Sequence, residues 1–167
     1  PRYKGLCDML SHKPLLYGQP MNKLGEIIPR KGIGILKLGE SKNSLLQLIG
    51  EPIRESKNRR NCIVFTYEGF RLTFNLGNNL ESIEVYPEIS ITYKGIEIFS
   101  GVAGWEQLIK DEPSPLHLSG AIVLLGSGVS IWEDPNEENQ NKSFVISAEG
   151  SWDKLRSKLK PYERKTI

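Results

Sequence analysis

Gln47-Leu48-Ile49-Gly50-Glu51-Pro52 and, about 60 positions later, Gln107-Leu108-Ile109-Lys110-Asp111-Glu112-Pro113 are nearly one phrase written twice. Each closes an apolar run that suits one face of a short helix. Leu45, Leu46, Leu48 and Ile49 follow a cap-like Ser41 in the first, and Trp105, Leu108 and Ile109 fall at helical spacing in the second. In the first, glycine accepts the left-handed conformation that ends a helix. In both, proline cannot continue one. Each phrase therefore marks a helix end.

The flanking residues repeat as well. Upstream, Gly34-Ile35-Leu36-Lys37-Leu38 and Gly95-Ile96-Glu97-Ile98-Phe99 are short strand candidates. Downstream of the first helix, alternation predicts strands over 61–67, 70–75 and 80–86, joined by turns at Glu68-Gly69 and Leu76-Gly77-Asn78-Asn79. Downstream of the second, 121–125, 128–132 and 143–146 answer them in the same order. Matched as 63–67 with 121–125, 69–73 with 128–132 and 82–85 with 143–146, they lie about 58 to 61 positions apart. The link 88–93 alternates Ile89, Ile91 and Tyr93 and reads as a further strand. One helix and a few strands cannot bury enough apolar area alone. The expected fold is therefore α+β, a tandem duplication of a helix-plus-antiparallel-strand unit. Its copies, about 33–87 and 94–148, are expected to join edge to edge as one continuous antiparallel sheet with the helices on one face.

Outside the duplicated domain, 33–150, two segments are expected. Residues 1–32, broken by Pro14, Gly18, Pro20, Gly25 and Pro29, read as an irregular arm. Residues 151–167 read as a short basic helix and tail, with Leu155 and Leu159 on one face. The 167 residues are enough for one domain with a sizeable core, and 38% apolar with 25% charged content argues against global disorder. A net charge of +2 gives no electrostatic case for a nucleic-acid partner. No apolar run approaches the roughly 20 residues that span a bilayer, and no signal peptide is visible. Cys7 and Cys62 lack a CxxC grouping and are expected as free thiols. The cytoplasm is the expected compartment.

A catalytic signature is equally hard to find. His12 and His117 stand apart from any nucleophile pattern. Gly126-Ser127-Gly128 leads into a strand, so it suits a hairpin turn and not a nucleophile elbow. Gly32-Ile33-Gly34 lacks the Lys-Ser/Thr pair of a phosphate loop. Asp134, Asn136 and Glu138 imitate the start of a calcium loop, but Asn139 and Val145 occupy positions that need glycine and glutamate. Neither enzyme activity, cofactor nor metal is expected.

Two charged stretches remain. Glu133, Asp134, Glu137 and Glu138 form an acidic loop beside Trp132, and Arg54, Lys57, Arg59 and Arg60 form a basic loop at the matching region of the first copy. Opposite-sign loops can orient a charged protein partner and speed its encounter. The residues expected at a partner interface are Glu133, Asp134, Glu137, Glu138, Trp132, Arg59 and Arg60. Phe70, Phe74, Tyr86, Tyr93 and Trp132 are the candidate aromatic anchors, at least half of which alternation assigns to the core.

The phrases Leu45-Leu-Gln-Leu-Ile-Gly-Glu-Pro52, Tyr67-Glu-Gly-Phe-Arg-Leu-Thr-Phe74, Ser82-Ile-Glu-Val85 and Tyr93-Lys-Gly-Ile-Glu-Ile-Phe99 resemble a recurring helix-then-sheet layout. It is similar to the small lipoproteins of the outer-membrane barrel-assembly machine, to the β-lactamase inhibitor proteins, and to bacterial immunity proteins paired with polymorphic or contact-dependent toxins. The resemblance covers roughly 33–147 and implies a cytoplasmic immunity protein that binds and neutralises a cognate toxin domain, such as a nuclease. The alternative is a non-catalytic scaffold or assembly factor of an envelope or trafficking machine. Either reading implies a protein partner, with no nucleic acid, membrane or small-molecule cofactor.

Overall fold

The computed structural model describes residues 21–132 and 142–163. The chain runs through β1 (Lys23–Ile28), β2 (Gly32–Ile33), β3 (Leu36–Lys37), α1 (Lys42–Ile49), β4 (Arg54–Lys57), β5 (Ile63–Tyr67), β6 (Phe70–Phe74) and β7 (Leu80–Val85). It continues through β8 (Ser90–Tyr93), β9 (Ile96–Glu97), α2 (Ala103–Asp111), β10 (Leu116–Leu118), β11 (Ala121–Leu124), β12 (Val129–Trp132) and β13 (Ser143–Ser147). A 3-10 turn over Asp153–Lys158 and a last strand, β14 (Lys160–Pro161), complete it.

These strands make two sheets, not the single continuous one expected. A nine-stranded antiparallel sheet has the order β14-β10-β11-β12-β13-β7-β6-β5-β4, and a five-stranded mixed sheet has the order β3-β2-β1-β8-β9. The short strands ahead of each helix cause the difference. They turn back in two-residue hairpins, Ile33 opposite Leu36 and Tyr93 opposite Ile96, and so pair locally instead of joining the large sheet. Their partner β1 pairs in parallel with β8 and lies inside the stretch expected to be irregular, so the ordered body begins before residue 33.

Alternation sorts the large sheet into two faces. Phe65, Phe70, Leu72, Phe74, Ile83, Val85, Phe144, Ile146, Val129 and Ile131 share the inner face and are almost fully buried. Leu24, Ile27, Ile33, Leu36, Ile91 and Ile98 of the smaller sheet region belong to the same core, as do Leu45 of α1 and Trp105, Leu108 and Ile109 of α2. One apolar layer thus joins both sheets and both helices. Burying a single such side chain contributes about 1.5–3 kcal/mol. Phe70, Phe74 and Tyr93 are core residues and no longer candidate anchors.

Helix α1 starts where Ser41 Oγ accepts the Ser44 amide at 3.2 Å, a cap that contributes about 1 kcal/mol. It ends at Gly50, with φ +84. Helix α2 has no side-chain cap, but the Trp105 indole donates to the Ile98 carbonyl and fixes its first turn. The C-terminal segment expected as a basic helix forms only a 3-10 turn with no buried residue. Its chain then returns to the sheet edge as β14 beside β10.

Candidate protein-binding face

The outer face of the nine-stranded sheet can be followed as a single row of cross-strand neighbours. Arg54 faces Thr66, Thr66 faces Arg71, Arg71 faces Glu84 and Glu84 faces Val145. Beyond the centre, Val145 faces Ser130, Ser130 faces Val123 and Val123 faces Leu116. Along this line the character changes. Arg54 and Arg71 are exposed, and Thr66, Glu84 and Val145 half-buried, whereas Ser130 and Val123 are closed off.

The C-terminal segment lies on the closed half. Trp132 shares the outer face with Ser130, to whose hydroxyl its indole donates at 3.3 Å, and it stacks on Trp152 with ring centroids 6.4 Å apart. From Trp152 the chain crosses to the β10 edge, where the Tyr162 amide donates to the Pro115 carbonyl at 2.9 Å. The half built from β5, β6 and β7 carries Val64, Thr66, Arg71, Thr73, Ser82 and Glu84, every one of them half-buried or exposed.

Electrostatics on this half centre on Arg71. Its guanidinium lies 3.7 Å from the Glu84 carboxylate and 5.3 Å over the Tyr86 ring. Burial, then the nearby Glu84 charge, hold the Tyr86 phenol well above the ordinary tyrosine range. Thr66 Oγ1 is buried and has no hydrogen-bond partner.

The expected interface residues are not gathered at one place. Glu133, Asp134, Glu137 and Glu138 lie outside the described residues. Trp132 is 39% exposed, but one ring face is taken by Trp152. Arg59 and Arg60 occupy the turn between β4 and β5, at the strand end marked by Lys57 opposite Ile63. Trp132, opposite Ser143 and Ala121, sits at the other end of the strands. Arg60 is held by Glu81 in two hydrogen bonds of 3.2 and 2.8 Å, and this pairing raises the guanidinium's pKa. Its charge is matched within the chain. The basic stretch is also not all loop, because Arg54 and Lys57 belong to β4.

Sequence reasoning missed the row itself. The predicted hairpins already set Thr66, Arg71 and Glu84 side by side, but strand β4, which adds Arg54, and the long-range pairing of β7 with β13, which continues the row, are not revealed by one sequence.

Two depressions, of about 210 and 240 Å³, flank the turn at 125–128. Their surroundings serve to hold that turn. Glu112 accepts the amides of Gly126 and Ser127 at 3.0 and 3.3 Å, and Arg30 donates to the carbonyls of Gly126 and Leu125 at 2.6 and 3.1 Å. Cys62 is a buried free thiol. Among the described residues no group of three or more His, Cys, Asp or Glu side chains is placed to hold a metal ion, and no helix is long and apolar enough to cross a membrane. No family model, curated protein or solved structure matches the chain.

Proposed function

We propose that this chain is a non-enzymatic, cytoplasmic immunity protein that binds and neutralises a cognate bacterial toxin domain through the bare half of its outer sheet face. The observation that carries the reading is the change along one row of the sheet, from Ser130 and Val123, closed off, to Arg71 and Arg54, exposed. Rigid strands hold these side chains in fixed register, which suits recognition of another folded surface.

We further read the two halves as copies of one unit. Support comes from their matching order, a helix followed by four strands in each half, with the fourth strands, β7 and β13, paired at the centre of the sheet, and from the offset of about 60 residues between the two helix-ending phrases. Within the short hairpins the match moves by one place. Gly34 is the first loop residue of its hairpin and Gly95 the second of its own.

The test is co-expression with the toxin domain encoded by the neighbouring gene. The expected result is protection of the host and co-purification of the two chains. Thr73→Arg, on the bare half, is expected to abolish both while leaving thermal unfolding unchanged. A chain that neither protects nor binds overturns the immunity reading, and full protection by the variant overturns the assignment of the face.

A further inference from the structure

Arg54, Thr66 and Arg71 stand side by side on three adjacent strands, β4, β5 and β6. Two strand spacings separate the arginine backbones by roughly 10 Å, a gap that two extended arginine side chains can close from either side. Arg54 lies on the edge strand and is exposed, and its side chain has no hydrogen bond or ion pair among the described residues. Arg71 is tethered on one side only, by Glu84 at 3.7 Å and the Tyr86 ring, and a guanidinium has five N–H donors. Between them in the row is Thr66, whose Oγ1 is buried and without a hydrogen-bond partner. Buried polar groups are nearly always paired in folded proteins, so an unpaired hydroxyl on the residue between two arginines points to a place where an acceptor belongs.

We propose that Arg54, Thr66 and Arg71 form a clamp for a carboxylate carried by the protein partner, either an acidic side chain or a chain terminus. The proposal rests on the reading of the bare half as a protein-binding face and names the chemistry of the contact. On binding, the exposed Arg54 and Arg71 side chains re-aim so that one carboxylate oxygen reaches the Thr66 hydroxyl, buried in the free chain. The two oxygens together accept from the guanidiniums, the charge-assisted geometry for which arginine is suited. Arg54 supplies the positive charge that the chain itself leaves unmatched, because Glu84 already offsets Arg71.

Two features favour a carboxylate on a protein over other anions. Glu84 sits in the same row, beside Arg71, and repels the extended run of phosphates in a nucleic-acid strand. The seat also lies on an open sheet face, whereas small free anions are held in concave sites that enclose most of their surface. The two depressions described above lie elsewhere, around the turn at 125–128.

The experiment titrates the full-length, isotope-labelled chain with a hexaglutamate peptide and follows the Thr66 methyl and the arginine Nε–H signals by NMR. Hexaglutamine, glutarate and an oligothymidylate serve as separate arms. Expected are saturable shifts focused on Thr66, Arg54 and Arg71 with hexaglutamate, and none with hexaglutamine. Thr66→Val, which keeps the shape and removes the hydroxyl, is expected to weaken binding roughly tenfold, and Arg54→Ala by at least about as much. Thermal unfolding of both variants guards against misfolding.

Unaltered binding by either variant overturns the clamp, as do shifts spread over every basic side chain. Glutarate binding as tightly as the peptide makes it a small-molecule site, and tighter oligothymidylate binding makes it a nucleic-acid contact; each replaces the proposal. The co-expression test reads a different property. Protection that survives while the titration fails leaves the face in use with another chemistry.

Discussion

Asp111 gathers three donors at the end of α2. The Tyr93 hydroxyl donates to it at 2.9 Å, Lys94 Nζ lies 2.7 Å away, and Gln107 donates at 2.9 Å. The hydrogen bonds from Lys94 and Tyr93 hold the Asp111 carboxyl below its ordinary value of 3.8. Burial, then the hydrogen bond to Asp111, raises the Tyr93 phenol above 10.0. The two shifts have opposite senses with pH. A depressed carboxyl contributes stability that is complete above its unfolded value and is lost as pH falls through the folded one. A raised phenol contributes stability that is complete below its unfolded value and is lost as pH rises through the folded one. The cluster therefore stabilises the fold on a plateau from mildly acid to mildly alkaline pH. The difference in melting temperature between the parent and Asp111→Asn is expected to be flat across that plateau and to shrink at both ends. A difference that does not change with pH would remove Asp111 from the cluster's titration. None of these contacts was visible beforehand, since Asp111 appears in the sequence only as part of a helix-ending phrase.

Elements with their own local signals were legible and the others were not. Helix α1 carries a serine cap, an apolar face and a glycine stop, and it forms where those signals place it. Strands β5, β6 and β7 alternate cleanly and have turn residues between them. Strand β4 has no such pattern, and the three residues of β10, Leu116-His117-Leu118, are too few to establish one. Arg54-Glu55-Ser56-Lys57 is polar throughout and is a strand only because β5 lies alongside, and the charges on this edge also discourage further pairing. Among turns, the hairpin β2–β3 gives the sharpest prediction. Gly34 has φ +53, and an added Cβ would collide with the Leu24 carbonyl oxygen of β1. Gly95, in the corresponding hairpin β8–β9, has φ +75 but open space around it. Gly34→Ala is expected to destabilise by about 2 kcal/mol or more, and Gly95→Ala by about 1 kcal/mol. Denaturant unfolding of the two variants measures this, and equal losses would mean that backbone conformation, and not the close approach of β1, governs both sites.

At the scale of the whole molecule, the repeated phrase correctly signalled an α+β chain rich in antiparallel pairing, and the number of sheets escaped it. Periodicity records which residues face inward, but a strand of two residues, such as β3 or β9, has too short a pattern to say which sheet it joins. The candidate site was legible in its parts: Arg54, Glu84 and Tyr86 stand out as charged or aromatic residues. Their convergence depends on strand order.

That order has a consequence for the covalent chain. Pro87 and Glu88 form an exposed turn between β7 and β8. Divided there, each sheet retains one pairing between the two pieces, β1 with β8 in the smaller and β7 with β13 in the larger. All other neighbours in both sheets lie on the same side of the cut. Residues 1–87 and 88–167, made as separate polypeptides, are therefore expected to reassemble into a one-to-one complex, while each alone exposes its share of the inner face and fails to unfold cooperatively. Size-exclusion chromatography and thermal unfolding of the separate and mixed pieces would decide, and cooperative unfolding of either piece alone would contradict it. In the cut protein stability rises with concentration. Two exposed residues then decide whether this fold forms as a unimolecular or a bimolecular event.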